Sequence, residues 1–212
     1  MPAAVLQSLF LLVIVLSTAG TISITRLRRA DISSVARLVV GEFFDPTTAS
    51  SKTLALERRA VCARLEQHIG RTKHTSYFIA KDTATDDDVV GFVEVAMTAD
   101  LAAAFAHEGI PPRPCRPKLT ALTVAPSHRR RGIGTLLLAA CARQSEAWLQ
   151  LPRGGAELWL EVRRDNAPAR KLYYAAGFVE CPVASVAAFG TAESSCRDLM
   201  LYYYGPGTTA PP

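Results

Sequence analysis

No Cys-x-x-Cys pair and no His/Cys cluster occurs in the chain, no segment repeats, and lysine is scarce beside arginine. The five cysteines (Cys62, Cys115, Cys141, Cys181, Cys196) are odd in number and scattered. They give neither a zinc site nor a disulfide framework, and read as reduced thiols in a reducing compartment. His68, His74, His107 and His128 share no visible site, so no metal is expected. A nucleic-acid binder would carry a basic stripe interleaved with aromatics. Here Arg26, Arg28 and Arg29 sit in a different element from Arg129, Arg130 and Arg131, and that class is set aside. Charge is also missing from the first twenty-five side chains. A secretory leader would have a basic start, and a transit peptide more Arg and Ser, so both fit poorly.

What is present begins with bulk. A chain of 212 residues with 49% hydrophobic side chains can bury one sizeable core. The net charge of +5 is mostly arginine, whose planar fork suits phosphate oxygens. Residues 3–20, continuously apolar from Phe10 to Leu16, are just long enough to span a bilayer. They read as a membrane anchor, a leader, or an apolar extension packed on the domain. If they span, the arginines at 26, 28 and 29 would hold the rest on the cytoplasmic or stromal side. The division expected is an apolar segment 1–20, one domain 21–205 and a flexible tail 206–212. The compartment expected is the cytoplasm or an organelle, the plastid stroma included.

Along the chain, residues 21–27 alternate as a first strand. Asp31 is expected to cap a helix through Phe44, and a second helix covers 54–69, closed by Gly70. Strands at 76–81 and 89–97 flank an acidic turn. Residues 98–118, with prolines at 111, 112, 114 and 117, read as an irregular extended insert. A strand ending at Val124 leads through an Arg/Gly turn into a long helix with Ile133, Leu137, Cys141 and Trp148 on one face. A strand at 157–163, a helix after Asn166 ended by Gly177, and closing strands at 178–182 and 197–204 complete the pattern.

Two stretches carry chemistry. In the first, Val124-Ala125-Pro126 precedes Arg129-x-x-Gly132-x-Gly134 and a helix, so the free N–H groups of the helix's first turn and its dipole converge on one anion. The glycines let backbone come close, and Arg129, Arg130 and Arg131 add positive charge beside a phosphate or pyrophosphate. In the second, LWLEVR leads to Asn166-x-x-Ala169-x-x-Leu172-Tyr173-x-x-x-Gly177-Phe178. Asn166, Ala169 and Tyr173 lie three and four apart, on one helix face. Periodicity alone leaves Tyr173 open between a core aromatic and a functional phenol. In the strand, Glu161 shares a face with Glu157, Trp159 and Arg163, and reads either as a functional carboxylate or as an ion pair with Arg163 or Arg164.

These two motifs, in this order and spacing, resemble the GCN5-related N-acetyltransferase (GNAT) family. The second is similar to bacterial ribosomal-protein alanine N-acetyltransferases, while the long insert resembles plastid and cyanobacterial members. The resemblance runs over about residues 22–204. It implies an α/β fold whose mixed, mostly antiparallel sheet is splayed at the cofactor site with helices on both faces, and acetyl-CoA as cosubstrate. It implies cofactor contacts from Leu122, Val124, Arg129, Arg130, Arg131, Gly132, Ile133, Gly134 and Thr135, with Asn166 and Ala169 along the pantetheine arm. Tyr173 would protonate the leaving thiolate, with Tyr174 as substitute, and Glu161 would be the general base. The acceptor expected is a primary amine, foremost on a protein, at an N-terminus or a lysine, with a small-molecule amine, or a CoA-binding module without turnover, as the alternatives. Residues 183–195 are small and apolar where the alanine N-acetyltransferases carry tyrosines that grip a peptide.

Overall fold

Period-two alternation in the strands and 3.6-residue periodicity in the helices produce a mixed α/β architecture. The computed structural model describes residues 21–44, 49–84, 88–99, 114–181 and 199–204. In chain order the elements are β1 (Ile22–Arg26), α1 (Ile32–Phe43), α2 (Ser51–His68), β2 (Thr75–Asp82), β3 (Asp88–Ala99) and β4 (Cys115–Val124). They continue with α3 (Ile133–Leu149), β5 (Leu158–Arg163), α4 (Ala167–Ala175), β6 (Val179–Cys181) and β7 (Leu199–Tyr204). The strands form one sheet in the order β1-β2-β3-β4-β5-β7-β6. All neighbours are antiparallel except β4 and β5, which are parallel.

Helices cover both faces. On one, α3 and α4 pack Ile133, Leu137, Cys141 and Tyr173 against Val93, Val95, Leu119, Leu158, Leu160 and Val162. On the other, α1 and α2 pack Val35, Val39 and Leu65 against Tyr77, Ile79 and Phe92. The seat of α3 is set by Gly91 of β3. A Cβ there would lie 3.1 Å from Ala80 Cβ, Ile133 Cγ2 and Leu137 Cδ1, so a side chain would push these neighbours back by a few tenths of an ångström. Leu137 is fully buried in that contact, and its truncation to alanine would cost about 2–5 kcal/mol.

Three sequence expectations are corrected. Asp31 stands at the N-cap position of α1 as expected, but its side chain makes no capping bond; the residue ends a 3-10 turn with helical φ/ψ and pairs with Lys81 Nζ at 2.8 Å. The second helix begins a turn earlier than periodicity indicated, because Ser50 Oγ accepts from Thr53 N at 3.1 Å and so fixes the start. The proline-rich insert is shorter than expected. Pro117 lies inside β4, opposite Met97, whose N–H is spent on His74 O at 2.7 Å, so no ladder bond is asked of the proline. Residues 100–113 lie outside the described residues, as do the apolar segment 1–20, the region 182–198 and the tail. Among the described residues no helix is long and apolar enough to cross a membrane.

Candidate active site

The two parallel strands touch only briefly. β4 and β5 pair at Lys118 with Trp159 and at Leu119 with Leu160, and then diverge. The cause lies on the other edge of β4, where Glu94 faces Ala121 and Val95 faces Leu119, leaving Thr120 as an extra residue. Such a bulge bends its strand, and here it bends at the residue where pairing with β5 stops. Ala125 N donates to Val90 O at 2.9 Å, so by alternation Ala121 and Thr123 also face β3. Leu122 and Val124 therefore turn their backbone groups into the gap.

Beside the gap lies the Arg/Gly turn. Arg130 (φ 63°) and Gly132 (φ 77°) are both left-handed, which folds the backbone into a concave run of N–H groups. Gly132 is the N-cap of α3, and no side chain caps the helix, so its first-turn N–H groups are open to an anion. Ile133 is buried and anchors the turn; Thr135 is exposed. Gly134 has a different reason for being glycine. A Cβ there would meet Leu172 Cδ2 at 2.9 Å, so the Leu172 side chain of α4 would have to shift to admit one.

The three arginines divide their work. Arg129 donates from Nη2 to Glu42 Oε2 and from Nε to Val124 O at 3.0 Å. Arg131 Nη1 reaches Asp82 Oδ2 at 3.2 Å, and His128 Nε2 meets the same oxygen at 3.2 Å. Arg130 is exposed and makes no hydrogen bond or ion pair among the described residues. Two of the three thus brace the turn against α1 and β2. Asp82, 3% exposed, is the node of that brace. The Ala84 N–H, then Arg131 and His128, hold its carboxyl below the usual carboxylate range against the opposing effect of burial.

On α4, Asn166 caps the helix by accepting from Ala169 N at 3.2 Å, and Ala169 is partly buried against the core. The Asn166 carbonyl is therefore committed to its own helix. Tyr173 is 6% exposed and packs against Phe178 with ring centroids 5.6 Å apart. Burial, and secondarily Cys141, pushes its phenol up to about 12, so it holds its proton throughout the neutral range. Cys141 beside it is pushed to about 12 by burial as well, which leaves it a neutral thiol and no nucleophile. Tyr174 turns elsewhere, donating to Glu180 Oε2 at 2.6 Å.

Glu161 faces the other side of the sheet, as alternation requires. Its partner is neither Arg163 nor Arg164. Lys118 Nζ lies 3.0 Å from Glu161 Oε2 and 4.4 Å from the centroid of the Trp159 ring, while Arg163 forks onto Asp165. Lys118 and Asp82 are the residues that sequence reasoning passed over. Lys118 was absorbed into the proline-rich insert and Asp82 into the polar turn after β2. The signal for Lys118 was there: it stands one residue before an apolar run, on the parity opposite Leu119. Among the described residues no group of three or more His, Cys, Asp or Glu could hold a metal ion.

Residues 38–178 match the acetyltransferase (GNAT) family, and the chain belongs to it. It is 37% identical over 108 residues to the streptothricin acetyltransferase of Streptomyces lavendulae, covering 51% of this chain and 54% of that one. It is 40% identical over 62 residues to the [ribosomal protein bS18]-alanine N-acetyltransferase of Escherichia coli K12, covering 29% of this chain and 38% of that protein. The chain thus spans about half or less of the length of these relatives. Among solved structures, the PaiA N-acetyltransferase of Thermoplasma acidophilum in complex with coenzyme A superposes with a TM-score of 0.58 at 18% identity, covering 87% of this chain and 99% of that one. At that identity the likeness shows the fold.

Proposed function

We propose that this chain transfers an acetyl group from acetyl-CoA to a primary amine by direct attack, and that its acceptor is a protein, through an N-terminal α-amine or a lysine. The observation that carries the reading is the gap between β4 and β5, flanked by the uncapped first turn of α3. The residues fit the cosubstrate. The turn 129–135 takes the pyrophosphate, with Arg130 as the mobile charge and the N–H groups of Gly132, Ile133, Gly134 and Thr135 as the fixed donors. Leu122 offers its backbone groups to the arm in the manner of a strand, and Val124 its N–H, since its carbonyl accepts from Arg129. Ala169 leaves room, and Asn166 fixes the start of α4 beside it.

Tyr173 gives its proton to the departing thiolate, and Glu161 receives the proton of the attacking amine. The two approach from opposite faces of the sheet, so leaving group and nucleophile are served from opposite sides of the thioester. A covalent route through Cys141 has no support, since it is a buried neutral thiol. A second reading has its own support: the relative named for streptothricin places a small-molecule amine among the acceptors to be tried. The test is release of free thiol from acetyl-CoA over a panel of N-terminally free peptides, lysine peptides, polyamines and aminoglycosides. Turnover confined to small amines would overturn the protein acceptor. Binding of acetyl-CoA without turnover on any amine would reduce the chain to a binding module. The segment 1–20, proposed as an anchor, is tested by whether the full chain sediments with membranes and resists carbonate extraction.

A further inference from the structure

A general base must stand within hydrogen-bond reach, or one water, of the nitrogen it deprotonates. One primary amine already stands there. Lys118 Nζ is 3.0 Å from Glu161 Oε2, lies over the Trp159 ring, and is only 22% exposed, at the last pairing positions before β4 and β5 part. The next residue on β4 is Leu119 and the one after it Thr120, the bulge that opens the gap. The carboxylate and the indole face together hold an alkylammonium, the chemical class of the acceptor, and the chain supplies one of its own. We infer that Lys118 is an internal acceptor, and that the protein acetylates it in cis from bound acetyl-CoA.

The inference rests on the reading of Glu161 as base and of the gap as the thioester site. The step balances without a redox partner. The Lys118 ammonium gives one proton to Glu161, and its lone pair adds to the thioester carbonyl carbon. The C–N bond forms, the C–S bond breaks, the amide nitrogen sheds its second proton to solvent, and the thiolate leaves with the proton of Tyr173, which is replaced from solvent. One acetyl-CoA becomes one CoA thiol, one acetyl-lysine and one free proton. The product has lost its charge, so it releases Glu161 and leaves the Trp159 face. Cis geometry compensates for the small neutral fraction of a lysine, because the amine is held at high effective concentration.

The chain contains its own control. Lys81 is also ion-paired, to Asp31 at 2.8 Å, and its side chain is 21% exposed, so it matches Lys118 in ion pairing and exposure but stands on β2, away from the β4–β5 pair and without the indole face. The experiment incubates the full chain with acetyl-CoA and no added amine, then measures acetyl occupancy at Lys52, Lys73, Lys81, Lys118 and Lys171 by peptide mass spectrometry over time. Lys118 should be modified about tenfold or more faster than Lys81, at a rate independent of protein concentration. Glu161→Gln and Tyr173→Phe should each remove most of that excess, in line with loss of a general base or acid. Lys118→Arg, which keeps the charge and the ion pair, should abolish the acceptor-free burst of thiol release. Lys118 modified no faster than Lys81, in a protein that acetylates added amines, overturns the inference and leaves the proposed function standing. Lys118 modified in a protein that acetylates no added amine upholds the inference and removes the external acceptor. A protein that does neither removes both.

Discussion

The two faces of the sheet are built on different principles. Under α3 and α4 the contacts are apolar, a continuous cluster from Ile133 to Val162 into which Tyr173 is sunk. Under α1 and α2 the apolar patch is smaller, and polar contacts lie beside it: the ion pairs of Arg64 with Glu94 at 2.8 Å and of Lys118 with Glu161, and the hydrogen bond of His68 with Tyr77 at 3.1 Å. In the proposed reading the first face shapes and shields the cosubstrate site. The second is polar, and its groups can be rearranged by modest substitutions. A family that keeps one cosubstrate and varies the acceptor would be expected to keep the first kind of face and vary the second.

The largest effect expected comes from removing one atom on the apolar face. Tyr173→Phe keeps the ring against Phe178 and removes only the phenol oxygen. It should lower kcat by about 10²-fold on every acceptor, with little change in KM for acetyl-CoA. Tyr174→Phe, which removes only the hydrogen bond to Glu180, should leave kcat nearly unchanged. Because burial pushes the Tyr173 phenol up to about 12, the wild-type pH–rate profile should show no alkaline fall from loss of this acid below about pH 11. An unburied phenol would lose its proton near pH 10. A fall between those values that Tyr173→Phe abolishes would show that the ring is wetter than its packing indicates.

Next in size is the turn that joins the two faces. Gly132→Asp puts a side chain at φ 77° and a negative charge among the open N–H groups of α3. The site has room for the Cβ, so the effect should come from charge and strain and not from a clash. Calorimetry on the folded variant should show acetyl-CoA affinity down about 10²-fold, and unchanged affinity would move the pyrophosphate elsewhere.

How far the sequence could be read follows the same division. The apolar face was legible because each requirement there is local. Gly132 announces a left-handed turn, Asn166 a cap, and the spacing Asn166, Ala169, Tyr173 a helix face. The faces of β5 followed from alternation. What was not legible depends on partners distant in sequence. Nothing near Glu161 names Lys118, forty-three residues earlier, which displaced the expected Arg163 or Arg164. Nothing near the three arginines shows that two of them are occupied by Glu42 and Asp82. Pro117 inside a strand was unreadable because what makes it tolerable is the N–H of Met97 turned toward His74.

The polar face gives a smaller and more selective prediction. At pH 7.5 a lysine amine, with pKa near ~10.4, is neutral in about one molecule in a thousand, whereas an α-amine near ~7.8 is neutral in roughly a third. An α-amine therefore needs little help from a base. Glu161→Gln should slow transfer to a lysine peptide by about 10²-fold and to an N-terminal α-amine by severalfold, with raised pH recovering part of both losses. Matched peptides, one blocked at the N-terminus and one without lysine, measure the ratio. Profiles for Glu161→Gln equal to those of wild type on both peptides would make Glu161 a structural partner of Lys118 and nothing more.

The smallest effect expected lies at Asp82, and its sign is fixed by linkage. The folded-state pKa of its carboxyl is depressed by the Ala84 N–H, Arg131 and His128. A depressed carboxyl contributes stability that is present in full above the unfolded-state value near ~3.9, and is lost as pH falls through the lower folded value. Asp82→Asn keeps the shape and an acceptor oxygen for Ala84 but drops the charge that holds Arg131. Its effect on folding should therefore be seen at neutral pH and shrink in acid, with the urea midpoints of wild type and variant converging below about pH 4. Its effect on function should be confined to the turn, with KM for acetyl-CoA raised severalfold and kcat nearly unchanged, because Tyr173 and Glu161 are held by other contacts. A variant that lost kcat without a change in KM would show that Asp82 reaches the chemistry itself, and the division between a braced cosubstrate side and a polar acceptor side would have to be redrawn around β2.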